Sequence, residues 1–147
     1  MRELLELQTG QVAFISGLMS GFSLSIAAHV LRYGVRSSVA KLVFLLFLLS
    51  SLLFLVALYV DVRLSIELAG IETVPQALLN DISIVRNLGT FCATVALFMF
   101  IVATGLLGWL ATPVTGFLST VIGGGILYTL WYVWDNINAL SVLLQKM

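Results

Sequence analysis

The run from Val12 to Leu31 constrains the fold more than any other feature of this chain. Its 20 residues contain a single ionisable side chain, His29. An α-helix rises 1.5 Å per residue, so a run of this length spans roughly 30 Å, the thickness of the hydrocarbon core of a bilayer. The run therefore predicts a membrane-spanning helix close to the amino terminus.

The composition agrees with a protein dissolved in lipid. The chain is 61% hydrophobic and 10% charged, whereas soluble domains contain about 25% charged residues. The formal net charge is zero, and no basic stripe suited to nucleic acid is present. One histidine and one cysteine, Cys92, are too few for a zinc site within one chain. We therefore expect the lipid bilayer as a partner, and neither nucleic acid, metal nor cofactor.

Three further apolar runs predict three more spans. We expect one all-α domain over residues 1–147, a four-span transmembrane helical bundle. The predicted spans are residues 12–31, 42–60, 89–111 and 114–134. The second span is almost entirely Leu, Phe and Val around Ser50 and Ser51, without a polar stripe. That pattern is typical of a helix with much lipid contact.

The segment 61–88 is the most polar part of the chain, yet its pattern is helical. Arg63 and Glu67 lie four residues apart, as in an ion pair on a helix. We expect the second helix to end near Gly70, and Thr73–Gln76 resembles a capping box that begins the next helix. The two helical extensions should form an antiparallel hairpin outside the bilayer.

The carboxyl-terminal half carries three further signals. Thr112-Pro113 predicts a tight turn and the start of the fourth helix. Three consecutive glycines in the middle of that helix predict a bend or a very close contact, and hence a hinge: Gly123, Gly124 and Gly125. Residues 137–147 form an amphipathic tail that can lie on the membrane or pair with a neighbouring subunit.

The first run divides into three stripes when successive residues are placed 100° apart on a helix. The first stripe alternates polar and apolar side chains: Gln11, Leu18, Phe22, Ser25 and His29. The second consists of small residues and contains the helix-packing pair Gly17 and Gly21, in a G-x-x-x-G pattern, with Gly10 and Ala28. The third consists of Ser16, Ser20, Ser23 and Ala27. Small residues on two faces predict a helix that is enclosed by other helices.

No catalytic motif is present, so we expect no enzymatic activity and no catalytic residue. The sequence lacks a nucleophile–histidine–acid set, an H-E-x-x-H motif and a phosphate-binding glycine loop. The spans also lack the carboxylate that a proton-coupled exporter needs. Alternating apolar and polar rings on one helix face suit a pore, in which apolar rings gate and polar rings select.

Three residues of the first stripe also have explanations other than a pore. Ordinary helix packing also accounts for Leu18 and Phe22. His29 lies two residues from the end of the run, so it fits either a ring at a pore mouth or an interfacial position beside Arg32.

The segment Ser20-Gly21-Phe22-Ser23-Leu24-Ser25-Ile26-Ala27-Ala28-His29 resembles the pore helix of Orai-type calcium channels. In that family a Ser-Gly-Phe triplet precedes the selectivity Glu, and His29 stands at the position of that Glu. The resemblance matches Phe22 to a hydrophobic gate, Leu18 to a gating leucine and Ser25 to a pore valine. It implies four spans per chain in a hexameric ring in the cell membrane, with the first helix at the axis. Calcium prefers oxygen ligands, so the resemblance implies a channel without implying calcium selectivity.

These observations together predict a symmetric homo-oligomer that conducts cations as its permeant ions. Two other functions stay open: a structural or adaptor subunit that binds a partner through the 61–88 hairpin, and a small-molecule transporter. The orientation in the membrane also stays open. Three basic residues lie in the first connection (Arg32, Arg36 and Lys41), and four lie on the opposite side (Arg2, Arg63, Arg86 and Lys146).

Overall fold

A computed structural model shows an all-helical chain. The structure describes the backbone of residues 2–34, 37–69 and 76–145, and the side chains of residues 11–32, 34, 37–66 and 82–136. The four helices are α1 (Arg2–Tyr33), α2 (Ser38–Ala69), α3 (Gln76–Leu107) and α4 (Pro113–Gln145), and a 3₁₀ turn over Gly108–Leu110 follows α3. In the described parts of the chain, all four helices are long and apolar enough to cross a membrane. The chain is therefore a multi-pass membrane protein.

The connection between α1 and α2 is shorter than the sequence suggested. Gly34 has a φ of 90° and its amide donates a hydrogen bond to the Leu31 carbonyl, which ends α1. Ser37 then caps α2, because its hydroxyl accepts a hydrogen bond from the Ala40 amide. Arg32 therefore lies in the last turn of α1 and Lys41 in the first turn of α2. α1 thus extends two residues beyond the end of the first predicted span, and α2 begins four residues before the second one.

The helices on either side of the second connection are long. α2 and α3 have 32 residues each, well beyond the roughly 20 that a bilayer requires. α3 continues without interruption from Gln76 into the apolar third run. The predicted stop at Gly70 and the first three residues of the capping box lie outside the described residues. The tip of the hairpin therefore stays a prediction.

A compact turn joins α3 to α4, as Thr112-Pro113 predicted. Thr112 caps α4, since its hydroxyl accepts a hydrogen bond from the Thr115 amide at 3.2 Å. The Thr115 hydroxyl donates to the Gly108 carbonyl at 3.0 Å, and the Trp109 indole donates to the Thr120 hydroxyl at 3.0 Å. These bonds hold the start of α4 against the end of α3.

Each helix packs mainly against its neighbour in sequence, and the pairs are antiparallel. α2 lies between α1 and α3 and is the most buried helix: 39% of its span is buried, against 28% for α1, 22% for α3 and 6% for α4. The core around α2 includes Val43 and Phe47, and the Phe47 ring meets Phe100 edge to face at 5.5 Å. The second span has partners on two sides, and apolar residues on its remaining surface, such as Leu45 and Leu52, stay exposed within the chain, in line with the expected lipid contact.

The fourth helix is the most peripheral in the chain. Large aromatic side chains on it are half exposed or more: Phe117, Tyr128, Trp131, Tyr132 and Trp134. Such residues suit the boundary between lipid and water, where an apolar ring and a polar group both find a favourable environment. The helix continues as one element to Gln145, so the backbone of the predicted tail, as far as Gln145, extends α4 directly.

Candidate pore-lining face of the first helix

The serine stripe of α1 is the face that packs against α2. Ser16, Ser20, Ser23 and Ala27 are all at most 4% exposed. Small side chains let two helix backbones approach closely, which is the main source of helix association in lipid. The sequence distinguished this stripe, and the structure assigns it to the intramolecular interface.

Serine hydroxyls join the first three helices near the middle of their spans. The Ser20 hydroxyl donates to the Ser51 carbonyl at 3.1 Å, and the Ser51 hydroxyl donates to the Ser20 carbonyl at 3.1 Å. On the other side of α2, the Ser50 hydroxyl donates to the Ala96 carbonyl at 2.8 Å. Interhelical bonds of this kind contribute about 0.6 kcal/mol each in membranes. They fix α1 against α2, and thereby determine which face of α1 remains uncovered.

Two buried polar atoms in the described residues have no hydrogen-bond partner: Ser23 Oγ and Asp61 Oδ2. Asp61 is 6% exposed, and the positive charge of Arg86 on α3 acts on it. A Cβ added to Gly89 would lie 2.9 Å from Val60 Cγ1, so glycine is needed for this close α2–α3 contact. The sequence placed Asp61 in a polar extension and gave no sign that it is buried.

The polar and apolar stripe of α1 lies on the side opposite α2. All five of its residues are exposed within the chain: Gln11, Leu18 (48%), Phe22 (54%), Ser25 and His29. The interface with α2 therefore leaves the candidate pore residues together on the face of α1 that points away from α2.

The glycine stripe of α1 flanks this uncovered face. A Cβ on Gly17 would be 3.6 Å from Leu58 Cδ2, an ordinary van der Waals contact with α2. Gly21 has no atom within 4 Å of the position of an added Cβ. Gly21 therefore makes no close contact that a larger side chain would disturb within the described chain, and its packing role stays a prediction.

A cleft lies beside the carboxyl-terminal end of this face. Ser25 and His29 line it from α1, and Leu107, Leu110 and Ala111 line it from the end of α3 and the following turn. Arg32 is exposed one turn beyond His29. This end of the uncovered face is thus open, with Ser25 and His29 on one side of a mostly apolar cleft.

The glycine triplet of α4 lies within a continuous helix. A Cβ on Gly123 would be 3.6 Å from Gly105 Cα, so the two backbones are close, in line with the predicted close contact. Gly124 and Gly125 have no atom within 4 Å of an added Cβ. Their hinge role stays a prediction.

The chemistry of the described side chains is that of packing and solvation. Across the described residues, no group of three or more His, Cys, Asp or Glu is positioned to hold a metal ion. The uncovered face of α1 offers one amide, one hydroxyl, one imidazole and two large apolar groups. Comparison with known proteins finds no matching family model, curated protein or solved structure.

Proposed function

We propose that several copies of this chain form an ion channel in a membrane, with α1 innermost. The uncovered face of α1 lines the pore. Phe22 and Leu18 form its hydrophobic constriction, and Ser25 and His29 form polar rings toward one mouth. α2 and α3 surround the inner helices, and α4 is outermost.

The observation that carries this proposal is the exposure of polar side chains on one face of a membrane-spanning helix. Gln11, Ser25 and His29 are exposed within the chain and lie on the same side of α1. Polar side chains that face hydrocarbon are unfavourable, and in membrane proteins they turn toward other helices or water-filled cavities. Of these three residues only Ser25 lies well inside the predicted span 12–31, and a second copy of α1, or a pore, provides that environment for it.

The position of α1 in the row of helices supports the same arrangement. α1 is at one end of the row and α4 is at the other. The exposed face of α4 is rich in aromatic residues that tolerate lipid. Open glycines do not distinguish the two helices, because Gly21 on α1 and Gly124 and Gly125 on α4 all lack an atom within 4 Å of an added Cβ. The resemblance of Ser20–His29 to an Orai-type pore helix, which concerns the same residues, points to the same arrangement.

Reconstitution of the purified protein into liposomes tests the proposal. We expect ion flux well above that of protein-free liposomes, together with an oligomer in mild detergent. A monomer without flux that forms a stable complex with another protein would instead favour the adaptor function.

A further inference from the structure

The charged residues of the chain are divided between the two ends of the bundle. All seven acidic residues fall in the segments 1–6, 61–86 and 135–147. Their described residues belong to the start of α1, the end of α2, the start of α3 and the end of α4, and the antiparallel packing brings these four helix ends together at one end of the bundle. The segments 7–60 and 87–134 contain no Asp or Glu. The opposite end of the bundle therefore has no carboxylate from any helix.

That opposite end carries basic side chains. Arg32 is in the last turn of α1 and Lys41 is in the first turn of α2, and both are exposed. Arg36 lies between them in the sequence, outside the described residues. The end of α3, the 3₁₀ turn and the start of α4 add no charged residue there. The local field is thus positive, and no acidic group offsets it.

Arg32 is the basic residue closest to the candidate pore face. It follows His29 by three residues, so it lies on nearly the same side of the helix. The carboxyl terminus of a helix carries about half a negative charge, which is less than the full positive charge of one guanidinium. A ring of α1 helices therefore has a positively charged mouth at this end.

We infer that this mouth selects small inorganic anions over cations, with Arg32 as the residue that determines the sign. The inference rests on the proposed function and specifies its permeant ion. Rings of Arg or Lys favour anions, whereas cation-selective pores use acidic rings or backbone carbonyls. Within the expected span of α1 no acidic residue is present to attract a cation, and Glu3 and Glu6 precede the span at the opposite mouth. The charge at the Arg32 mouth thus favours the sign opposite to the cations expected from the sequence.

The reversal potential of the reconstituted channel in a KCl gradient tests this inference. We expect the wild-type reversal potential to lie between zero and the equilibrium potential of chloride. Arg32→Glu should move the reversal potential toward the equilibrium potential of potassium. Arg32→Gln should bring it close to zero, and Arg32→Lys should preserve the wild-type value. Charge at the mouth acts most strongly at low ionic strength, so the shifts should be largest in dilute KCl.

Arg63→Gln is the matched control, because Arg63 is an exposed basic residue at the opposite end of α2. It should leave the reversal potential unchanged. A wild-type reversal potential between zero and the equilibrium potential of potassium would overturn the inferred anion selectivity but would still support the proposed channel function. An anion-selective current that Arg32→Glu does not alter would remove Arg32 from this role. No current from any variant or from the wild type would overturn both the inference and the proposed function.

Discussion

Replacing Phe22 with alanine should raise the resting ion leak of the reconstituted protein about 30-fold. A hydrophobic constriction blocks ions because water leaves it, and removing the ring lets water in. The transfer free energy of a phenylalanine side chain from water to an apolar environment is about 2 kcal/mol. If its removal lowers the barrier to ion passage by the same amount, passage becomes about 30-fold faster. Ion flux from liposomes at equal protein density measures the effect.

Phe117→Ala is the matched control for Phe22→Ala. Phe117 is 67% exposed on α4 and Phe22 is 54% exposed on α1, so each ring is largely uncovered within the chain. The control should change the leak little, because α4 is outermost in the proposed channel. Equal leak from the two variants would contradict a constriction at Phe22.

Replacing Gly108 with alanine should destabilise the protein by about 2 kcal/mol, the typical cost of overpacking. A Cβ at this position would lie 2.7 Å from the Thr115 carbonyl oxygen and 2.9 Å from Ser119 Cβ. Because one of these atoms belongs to the backbone of α4, the clash is relieved only if α4 moves away from α3. The free energy of unfolding in mixed detergent micelles measures the loss.

Gly124→Ala separates this steric effect from the general effect of replacing a helical glycine. Gly124 has open space around the position of a Cβ, and alanine is the better helix former by up to about 1 kcal/mol. The Gly124 variant should therefore be as stable as the wild type or slightly more stable. If both variants lost stability equally, the close α3–α4 packing at Gly108 would not be the cause.

The sequence predicted the helices well, because their signals are local. The length of the run from Val12 to Leu31 determined the first span, and Thr112-Pro113 located the turn before α4. The serine stripe that includes Ser20 was visible as a packing face, since small residues at helical spacing let backbones approach each other. Such features depend only on residues close together in the chain.

The partners of each helix were not predictable in the same way. Ser50 and Ser51 are two polar residues in a long Leu-rich run, and this composition suggested lipid contact. In the structure they bind carbonyl groups on two different helices, so their role depends on neighbours that are distant in sequence. Asp61 is a comparable case, because its burial depends on how closely α3 approaches at Gly89.

The candidate pore face shows what a single chain leaves undetermined. The stripe through Phe22 was recognisable from its spacing, and the fold leaves it uncovered on the side away from α2. In the proposed channel, contacts between chains cover that face. The proposed channel therefore depends on how the copies of α1 are arranged relative to one another.

Crosslinking between copies in the membrane tests this arrangement most directly. In a Cys92→Ser background, a single cysteine is introduced at Phe22 on α1 or at Val121 on α4, two positions that are similarly exposed within the chain. A short thiol-specific crosslinker should join the copies that carry cysteine at position 22 and leave those with cysteine at position 121 monomeric. Crosslinks at position 121 and none at position 22 would put α1 at the lipid-facing perimeter and contradict the channel.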